Sequence, residues 1–236
     1  MRVEEFFRAL IPQTAPINMG FYNCSKDPSV PKTAALLRES DLDCLVLCGG
    51  RMAEMYPRVM EGLGSRPRFP VFTFLSDIDS VVAGSDGILF GYVLNQYPQV
   101  ITPIHAAAAL SVRDKGVSHV GVACLEVEPC RATLGGWPRS QHVISMRDID
   151  EAVRLSSVAR LARNLLMVID PGVDSVAEPS LVKAISSIAR LPLIVTGGRR
   201  LGSQQSEDLV GAGARGIARY FENSEDIREY VEGRVR

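Results

Sequence analysis

An α/β fold of the (β/α)8 TIM-barrel type is predicted by three features of the sequence. Short apolar, often β-branched runs alternate with helix-like runs along the whole chain, which is the pattern of a parallel α/β fold. Eight such strand runs fit into 236 residues, close to the size of one eight-unit barrel, so residues 1–236 read as a single TIM-barrel domain. A late strand, Leu193-Ile194-Val195-Thr196, breaks into Gly197-Gly198-Arg199-Arg200 ahead of a helix-like stretch, Ser203–Gly211. A barrel strand ends in this way when its loop holds a phosphate, because glycines let backbone N–H groups approach an anion and the next helix N-terminus adds partial positive charge.

The elements follow in order. Val3–Leu10 is a first, amphipathic helix ended by Ile11-Pro12, and Ile17–Tyr22 is the first strand. Pro31–Glu39 is a helix that begins on proline, whose missing N–H costs nothing there. Cys44–Cys48 is strand two, and Met52–Leu63 is a helix that Pro57 should bend. Val71–Leu75 and Gly87–Leu94 are strands three and four. The polar segment between them, Ser76–Asp86, is too short for a helix packed on a barrel, so the helix after strand three should be missing or reduced. That leaves an uncovered flank suited to an apolar ligand. Val100–Lys115 is a helix strengthened by Ala106–Ala109, and Val120–Val127 is strand five. Glu128–Met146, with two prolines, Gly135-Gly136 and Trp137, reads as a loop. Asp148–Arg163 is a helix capped by Asp148 with Glu151 three residues on. Leu165–Asp170 is strand six, Pro179–Arg190 a helix, Gly216–Tyr220 strand eight, and Ser224–Gly233 the last helix with Ser224 as its cap.

Composition narrows the function classes. Hydrophobic residues make up 46% of the chain, enough for a sizeable core. A formal net charge of −1 argues against a large nucleic-acid surface. Met1–Leu10 is charged, so no signal peptide is expected, and no apolar run approaches the length of a membrane span. Five cysteines at positions 24, 44, 48, 124 and 130 match no zinc spacing and are odd in number. They read as reduced thiols filling a core, which implies a cytoplasmic protein.

In a barrel the functional residues follow the strands. Strand one is followed by Asn23, Ser25 and Lys26, strand two by Gly49, Gly50 and Arg51, and strand three by Ser76 and Asp77. Strand four ends in Asn95, strand five near Glu126 and Glu128, strand six in Asp170-Pro171-Gly172, strand seven in Gly197–Arg200, and strand eight in Arg219 and Tyr220. Asp170 reads either as a base for an acceptor hydroxyl or as the cap of a Pro-Gly turn. Lys26 and Arg51 read as site cations or surface charges, and His105 as a site contact or a packing residue. His119 and His142 carry no site signal. Two glycine-bearing strand ends, Gly49-Gly50 and Gly197-Gly198, suit a ligand with two phosphate-like groups or two phosphorylated substrates.

Taken together, the order and spacing of these segments resemble the prenylglyceryl phosphate synthase family over about Ile17 to Glu222. Leu193–Arg200 resembles its Pro-Leu-Ile-Val-Gly-Gly-Gly-Ile-Arg motif, led here by Pro192 and with Thr196 for the first glycine. Val93–Pro98 resembles its Leu-Leu-Asn segment, Leu125–Gly135 its strand-five loop, and Val168-Ile169-Asp170 its Tyr-Leu-Glu. The family also lacks a regular helix after strand three. The resemblance implies transfer of a prenyl group from an allylic prenyl diphosphate to the hydroxyl of a phosphorylated three-carbon acceptor, forming an ether and releasing diphosphate. Asp170 then takes the place of the family glutamate that orients or deprotonates the hydroxyl. Gly172, Thr196, Gly197, Gly198, Arg199, Arg219 and Tyr220 would hold the acceptor phosphate. Asn23, Ser25, Lys26, Gly49, Gly50, Arg51 and Asn95 would hold the diphosphate, and the uncovered flank the prenyl tail. A homodimer, and transient contact with a membrane surface for the lipid product, are implied in the same way.

Departures from the pattern carry information. The family's first strand ends in Asp-Pro-Asp-Lys, where an aspartate helps hold Mg2+. The corresponding Asn23-Cys24-Ser25-Lys26 lacks both acids, so Mg2+ is implied without its usual ligands. Lys26 and Arg51 then stand where the metal charge would act, or the metal is held differently. Thr196, Arg199 and Asp170 also differ, and an added arginine would suit a carboxylate-bearing acceptor. On that ground the chain resembles the branch that joins a farnesyl donor to 3-phosphoglycerate in moenomycin-type phosphoglycolipid synthesis, and 3-phosphoglycerate is favoured over glycerol 1-phosphate. Two other readings stand beside this one: a barrel that binds a phosphate or prenyl ligand without catalysis, and another phosphate-barrel isomerase or lyase. The second is thin, because Lys183 lies on a helix and Lys26 in a loop, neither at a strand end suited to a Schiff base.

Overall fold

A computed structural model describes residues 3–10, 15–64, 67–95, 103–128, 144–162, 164–172, 175–197 and 201–232. Eight parallel strands close into a barrel in sequence order. They are β1 (Ile17–Asn23), β2 (Cys44–Cys48), β3 (Val71–Phe74), β4 (Gly87–Val93), β5 (His119–Glu126), β6 (Leu166–Asp170), β7 (Leu193–Gly197) and β8 (Gly216–Phe221). The described helices are α1 (Val3–Leu10), α2 (Val30–Leu36), α3 (Met52–Leu63), α4 (Pro103–Lys115), α5 (Ile149–Leu161), α6 (Pro179–Ala189), α7 (Ser203–Gly211) and α8 (Ser224–Glu232). Closure is made by β1 and β8, paired from Ile17↔Gly216 to Tyr22↔Phe221.

Side chains alternate across each strand, so every second residue enters the lumen. The lumen is packed by Met19, Phe21, Val46, Phe72, Val122 and Val168, all fully or almost fully buried. The opposite strand faces pack under the helices, as Leu125, Ile169 and Val195 do beneath α5, α6 and α7. At the N-terminal ends of the strands, α1 stops the barrel from below. Phe6 and Phe7 lie against Phe72 with ring centroids 5.3 and 5.8 Å apart, and Val3, Phe6 and Phe7 join the lumen cluster. With that end closed by aromatic packing, the C-terminal ends of the strands are where polar groups collect.

The expected loss of the helix between β3 and β4 is observed. Only a single 3-10 turn, Ile78–Ser80, occupies that place. Asp77 and Ser80 cap it reciprocally, and the Thr73 hydroxyl donates to the Ser80 carbonyl at 2.6 Å. The outward residues of β4 are only partly buried, Phe90 beside α4 and Tyr92 on the α5 side, where its hydroxyl accepts from Asn164. His105 packs here: its Nε2 lies 3.0 Å from the Gly91 carbonyl oxygen and its ring 6.5 Å from that of Phe90.

Several boundaries differ from expectation by a residue or more, and two have a local physical reason. The helix expected over Pro31–Glu39 is α2 followed by a 3-10 turn at Leu37–Glu39, which tightens its end. The cap expected from Ser224 is supplied one residue earlier. Asn223 Oδ1 accepts from the backbone N–H groups of Glu225 (2.9 Å) and Asp226 (3.1 Å), which leaves Ser224 as the first helical residue. The Asp148 cap of α5 is as expected, accepting from Glu151 N at 3.2 Å. Most of the expected loop Glu128–Met146, with Cys130, Trp137 and His142, lies outside the described residues.

The plug generates a stability prediction. Phe7 is 1% exposed and closes the lumen, so Phe7→Ala should cost about 3–5 kcal/mol. Urea unfolding should report a lowered midpoint with an unchanged slope. A loss under about 1 kcal/mol would mean that α1 is a peripheral element.

Candidate functional site

Each strand places one inward-facing residue at or near its C-terminal end, and six of these positions are polar and buried: Asn23, Asn95, Glu126, Asp170, Thr196 and Tyr220. They form a hydrogen-bonded polar rim above an apolar lumen. Asn23 Nδ2 donates to Tyr220 Oη at 2.9 Å, and Ser25 Oγ donates to Asn23 Oδ1 at 2.8 Å, tying the ends of β1 and β8. Burial, more than any neighbour, holds the Tyr220 phenol well above its ordinary pKa, so it is a neutral O–H. Across the rim, Asp170 Oδ1 accepts from the Thr196 hydroxyl and from Gly172 N, both at 2.9 Å. The Gly172 contact is the turn expected after Asp170, and the Thr196 contact holds the same carboxylate from β7. The carboxylate is 4% exposed and its orientation is fixed by both neighbours.

Asn95 has a different part in the rim. Its Nδ2 donates to the Glu126 carbonyl (2.9 Å) and its Oδ1 accepts from Glu126 N (3.1 Å). The side chain thereby continues the β4–β5 ladder by one step and fixes the end of β5. Glu126, which the sequence puts near the end of strand five without marking it as a site residue, is 1% exposed. The signal that could have found it is parity: Val120, Val122 and Cys124 face the lumen, so Glu126 does too.

Gly197 ends β7. A Cβ there would sit 2.5 Å from the Leu201 side chain, so the chain turns closely on itself at this position. Gly198 and Arg199, the other expected phosphate contacts of this loop, lie outside the described residues. The expected pair from strand eight separates by the same parity. Tyr220 enters the lumen, whereas Arg219 points to the outer wall between α7 and α8. There its Nη1 donates to the Leu201 carbonyl at 2.7 Å and its Cζ lies 5.1 Å above the Tyr230 ring. Burial lowers its pKa somewhat. Arg219 also lines an outer groove of about 620 Å3 with Asn18, Asp41, Asp43 and Glu207. It therefore braces the exit of the β7 loop from behind and does not face the lumen.

The cations expected at a diphosphate are both exposed and both paired. Lys26 Nζ lies 2.7 Å from Glu222 Oε1, and Arg51 Nη1 lies 3.5 Å from Glu54 Oε2. Arg51 adopts φ 57, ψ 40 at the start of α3, a left-handed conformation that strains any residue with a Cβ. Beside it Gly49 has φ +104, and a Cβ there would lie 2.3 Å from Ser25 Oγ, so only glycine fits. The ends of β1 and β2 thus meet in a tight backbone turn with two cations at its lip.

The donor set at β1 and β2 does not fit a carboxylate-held metal. Both polar atoms of the Asn23 side chain are used by Tyr220 and Ser25, and no group of three or more His, Cys, Asp or Glu side chains suited to a metal occurs among the described residues. None of the four described cysteines is in a disulfide, and burial raises the thiols of Cys44 and Cys124 well above their ordinary pKa. Among the described residues no helix is long and apolar enough to cross a membrane.

Comparison with known proteins adds an independent finding. No family model matches the chain. It is 25% identical to the geranylgeranylglyceryl phosphate synthase of Pyrococcus horikoshii over 189 residues, 78% of this chain and 73% of that one. It is 28% identical to the Pyrococcus abyssi enzyme of the same name over 168 residues, 70% of this chain and 66% of the other. The solved (S)-3-O-geranylgeranylglyceryl phosphate synthase of Thermoplasma acidophilum, in complex with sn-glycerol-1-phosphate, superposes with a TM-score of 0.79 at 19% identity, covering 98% of each chain. The chain is thus a sequence relative of the prenylglyceryl phosphate synthases and shares their barrel.

The strained lip gives a test that separates function from stability. Arg51→Gly should relieve the left-handed strain and leave thermal stability equal or slightly higher. If Arg51 meets a diphosphate group as the sequence implies, the same change should weaken binding of inorganic diphosphate by about tenfold, read by calorimetry. A loss of stability with unchanged binding would remove Arg51 from the site.

Proposed function

We propose that this relative of the geranylgeranylglyceryl phosphate synthases is a prenyltransferase. It moves a prenyl group from an allylic prenyl diphosphate to the hydroxyl of a phosphorylated three-carbon alcohol. The observation that carries the reading is the buried Asp170 carboxylate, held by Thr196 and Gly172 beside the glycine end of β7. It stands where a base must stand if the acceptor phosphate is bound by the Gly197 loop. The acceptor hydroxyl gives its proton to Asp170 as its oxygen forms a bond to the allylic carbon. The carbon–oxygen bond to diphosphate breaks, and the departing charge is met by Lys26, Arg51 and the backbone turn at Gly49-Gly50. For that, Lys26 and Arg51 exchange their exposed carboxylate partners for diphosphate, a small loss because such surface pairs are worth little. The 3-10 turn packs against α4 through Val81, Ala108 and Val112, so the prenyl tail is assigned to the outer face of β4, where Phe90 and Tyr92 are partly buried.

We take glycerol 1-phosphate as the acceptor. The preference for 3-phosphoglycerate rested mainly on Arg199, which is outside the described residues, and none of the six inward-facing rim residues is a cation. A homodimer belongs to the same proposal: Leu110 on α4 and Leu161 on α5 are 55% and 82% exposed and would be covered by a partner. So do transient contact with a membrane surface when the lipid product leaves, and a cytoplasmic location for thiols that stay reduced. If Mg2+ accompanies the diphosphate it adds positive charge there, and no step above requires a protein-held ion.

Incubation with a panel of prenyl diphosphates and three-carbon phosphates, followed by mass analysis, should give a prenyl ether of glycerol phosphate. Asp170→Asn should lower turnover by about 100-fold or more with little change in acceptor KM. Chelation by EDTA should lower turnover by less than about tenfold. Acceptor binding with no ether product under any condition would favour the ligand-binding reading, in which the barrel has no catalysis.

A further inference from the structure

The sequence places Tyr220 with the acceptor phosphate, but its hydroxyl is joined to the β1 end of the rim. The Tyr220 backbone pairs with Phe21, and its ring rises along the lumen to reach Asn23, two residues further along β1. Among the described residues Asn23 is the one hydrogen-bond partner of the phenol, at 2.9 Å. Asn23 and Ser25 lie in turn against the turn that ends β2. A Cβ on Gly49 would stand 2.6 Å from Asn23 Oδ1 and 2.3 Å from Ser25 Oγ. The phenol therefore belongs with Asn23, Ser25 and Gly49, the residues that the sequence sets around a diphosphate.

The direction of the Asn23 contact leaves a proton unused. Asn23 Oδ1 accepts from Ser25 Oγ at 2.8 Å, so the amide meets the phenol with an N–H and the phenol oxygen is the acceptor. The O–H of Tyr220 itself has no acceptor among the described residues. Tyr220 faces the lumen and is 7% exposed. A donor so placed is costly to leave unmatched, and a ligand oxygen would match it. Burial is the main cause of the raised Tyr220 pKa, and Cys48, Glu222 and Asp170 add to it, so the group stays protonated through the ordinary tyrosine range. Asp170 is thus within electrostatic reach of the phenol, and the two groups share the mouth of the lumen.

We propose that Tyr220 is a catalytic residue that donates its O–H to an oxygen of the diphosphate bound at the Gly49-Gly50 turn, and that Asn23 is the positioning residue that sets the direction of this bond. As the allylic carbon–oxygen bond breaks, its electron pair stays on the leaving oxygen. The hydrogen bond strengthens with the charge that collects there, and the phenol keeps its proton. The inference rests on the reading that a prenyl diphosphate is the donor substrate, and it moves Tyr220 from the acceptor phosphate to the diphosphate.

The test is calorimetric binding of inorganic diphosphate and of glycerol 1-phosphate, in EDTA, to the wild type, Tyr220→Phe, Asn23→Asp and the double variant. Tyr220→Phe lacks one oxygen. It should weaken inorganic diphosphate binding by about tenfold or more and leave glycerol 1-phosphate binding nearly unchanged. A carboxylate at position 23 can only accept, so in Asn23→Asp it draws the phenol proton to itself, and adding Tyr220→Phe should then weaken diphosphate binding little further. Unchanged diphosphate affinity in folded Tyr220→Phe, or a loss confined to glycerol 1-phosphate, would overturn the assignment. So would equal losses for both ligands, which is the mark of a structural role, or a full further loss in the Asn23→Asp background. The wild type alone supplies a second measurement: saturation with inorganic diphosphate should move tyrosine ultraviolet absorption to longer wavelength, and no shift would also overturn it. Prenyl transfer is scored separately. Absent transfer with a diphosphate affinity that depends on Tyr220 would remove the proposed reaction and leave Tyr220 as a diphosphate ligand. A wild type that binds no inorganic diphosphate would count against both.

Discussion

Barrel closure is the constraint on which the rest of the structure depends. The ladder between β1 and β8 fixes the register of the sheet, and a one-residue slip there would turn the inward set of a strand outward. Because the register is fixed, the last inward residues of the strands fall near one level. Because α1 fills the other end with Phe6 and Phe7, polar side chains have one end at which to gather. The site follows from this geometry: an apolar column of lumen residues under a rim of Asn23, Asn95, Glu126, Asp170, Thr196 and Tyr220.

Within that rim, two departures from the prenylglyceryl phosphate synthase pattern touch each other. Asp170 stands for a glutamate and is one methylene shorter. Thr196 stands for a glycine and donates its hydroxyl to the Asp170 carboxylate. The threonine side chain lies on β7 next to the acid and fixes its orientation. At the other side of the rim, Asn23 takes the place of an aspartate. It is tied to Tyr220 and Ser25, which makes it a strut between β1 and β8. Lys26 and Arg51 stand exposed at the lip, paired with Glu222 and Glu54.

Much of this was legible in the sequence. The β-branched runs located all eight strands, because a strand buried on both faces shows as a short continuous apolar stretch. The missing helix after β3 was legible from length alone, since Ser76–Asp86 could not span the barrel height as a helix and return. The register was not legible, and the site depends on it. Arg219 and Tyr220 are adjacent in the sequence yet point to opposite faces, and the Asn95 amide completes the β4–β5 ladder, neither of which the sequence shows without the register. Glu126 is not legible as a site residue, because nothing in a run of apolar residues says which parity faces inward until a partner strand is known. The Asn223 cap was missed for a smaller reason: Asn, Ser and Thr are all good caps, and the sequence offers Asn223 and Ser224 side by side.

The most direct measurement is a crystal structure of this chain with glycerol 1-phosphate bound. The phosphate should lie against the backbone that follows Gly197, with a carbon-bound hydroxyl within hydrogen-bond distance of the Asp170 carboxylate. Density for the phosphate in the outer groove lined by Asn18, Glu207 and Arg219, or at the lip formed by Gly49 and Arg51 with Asp170 uncontacted, would contradict it.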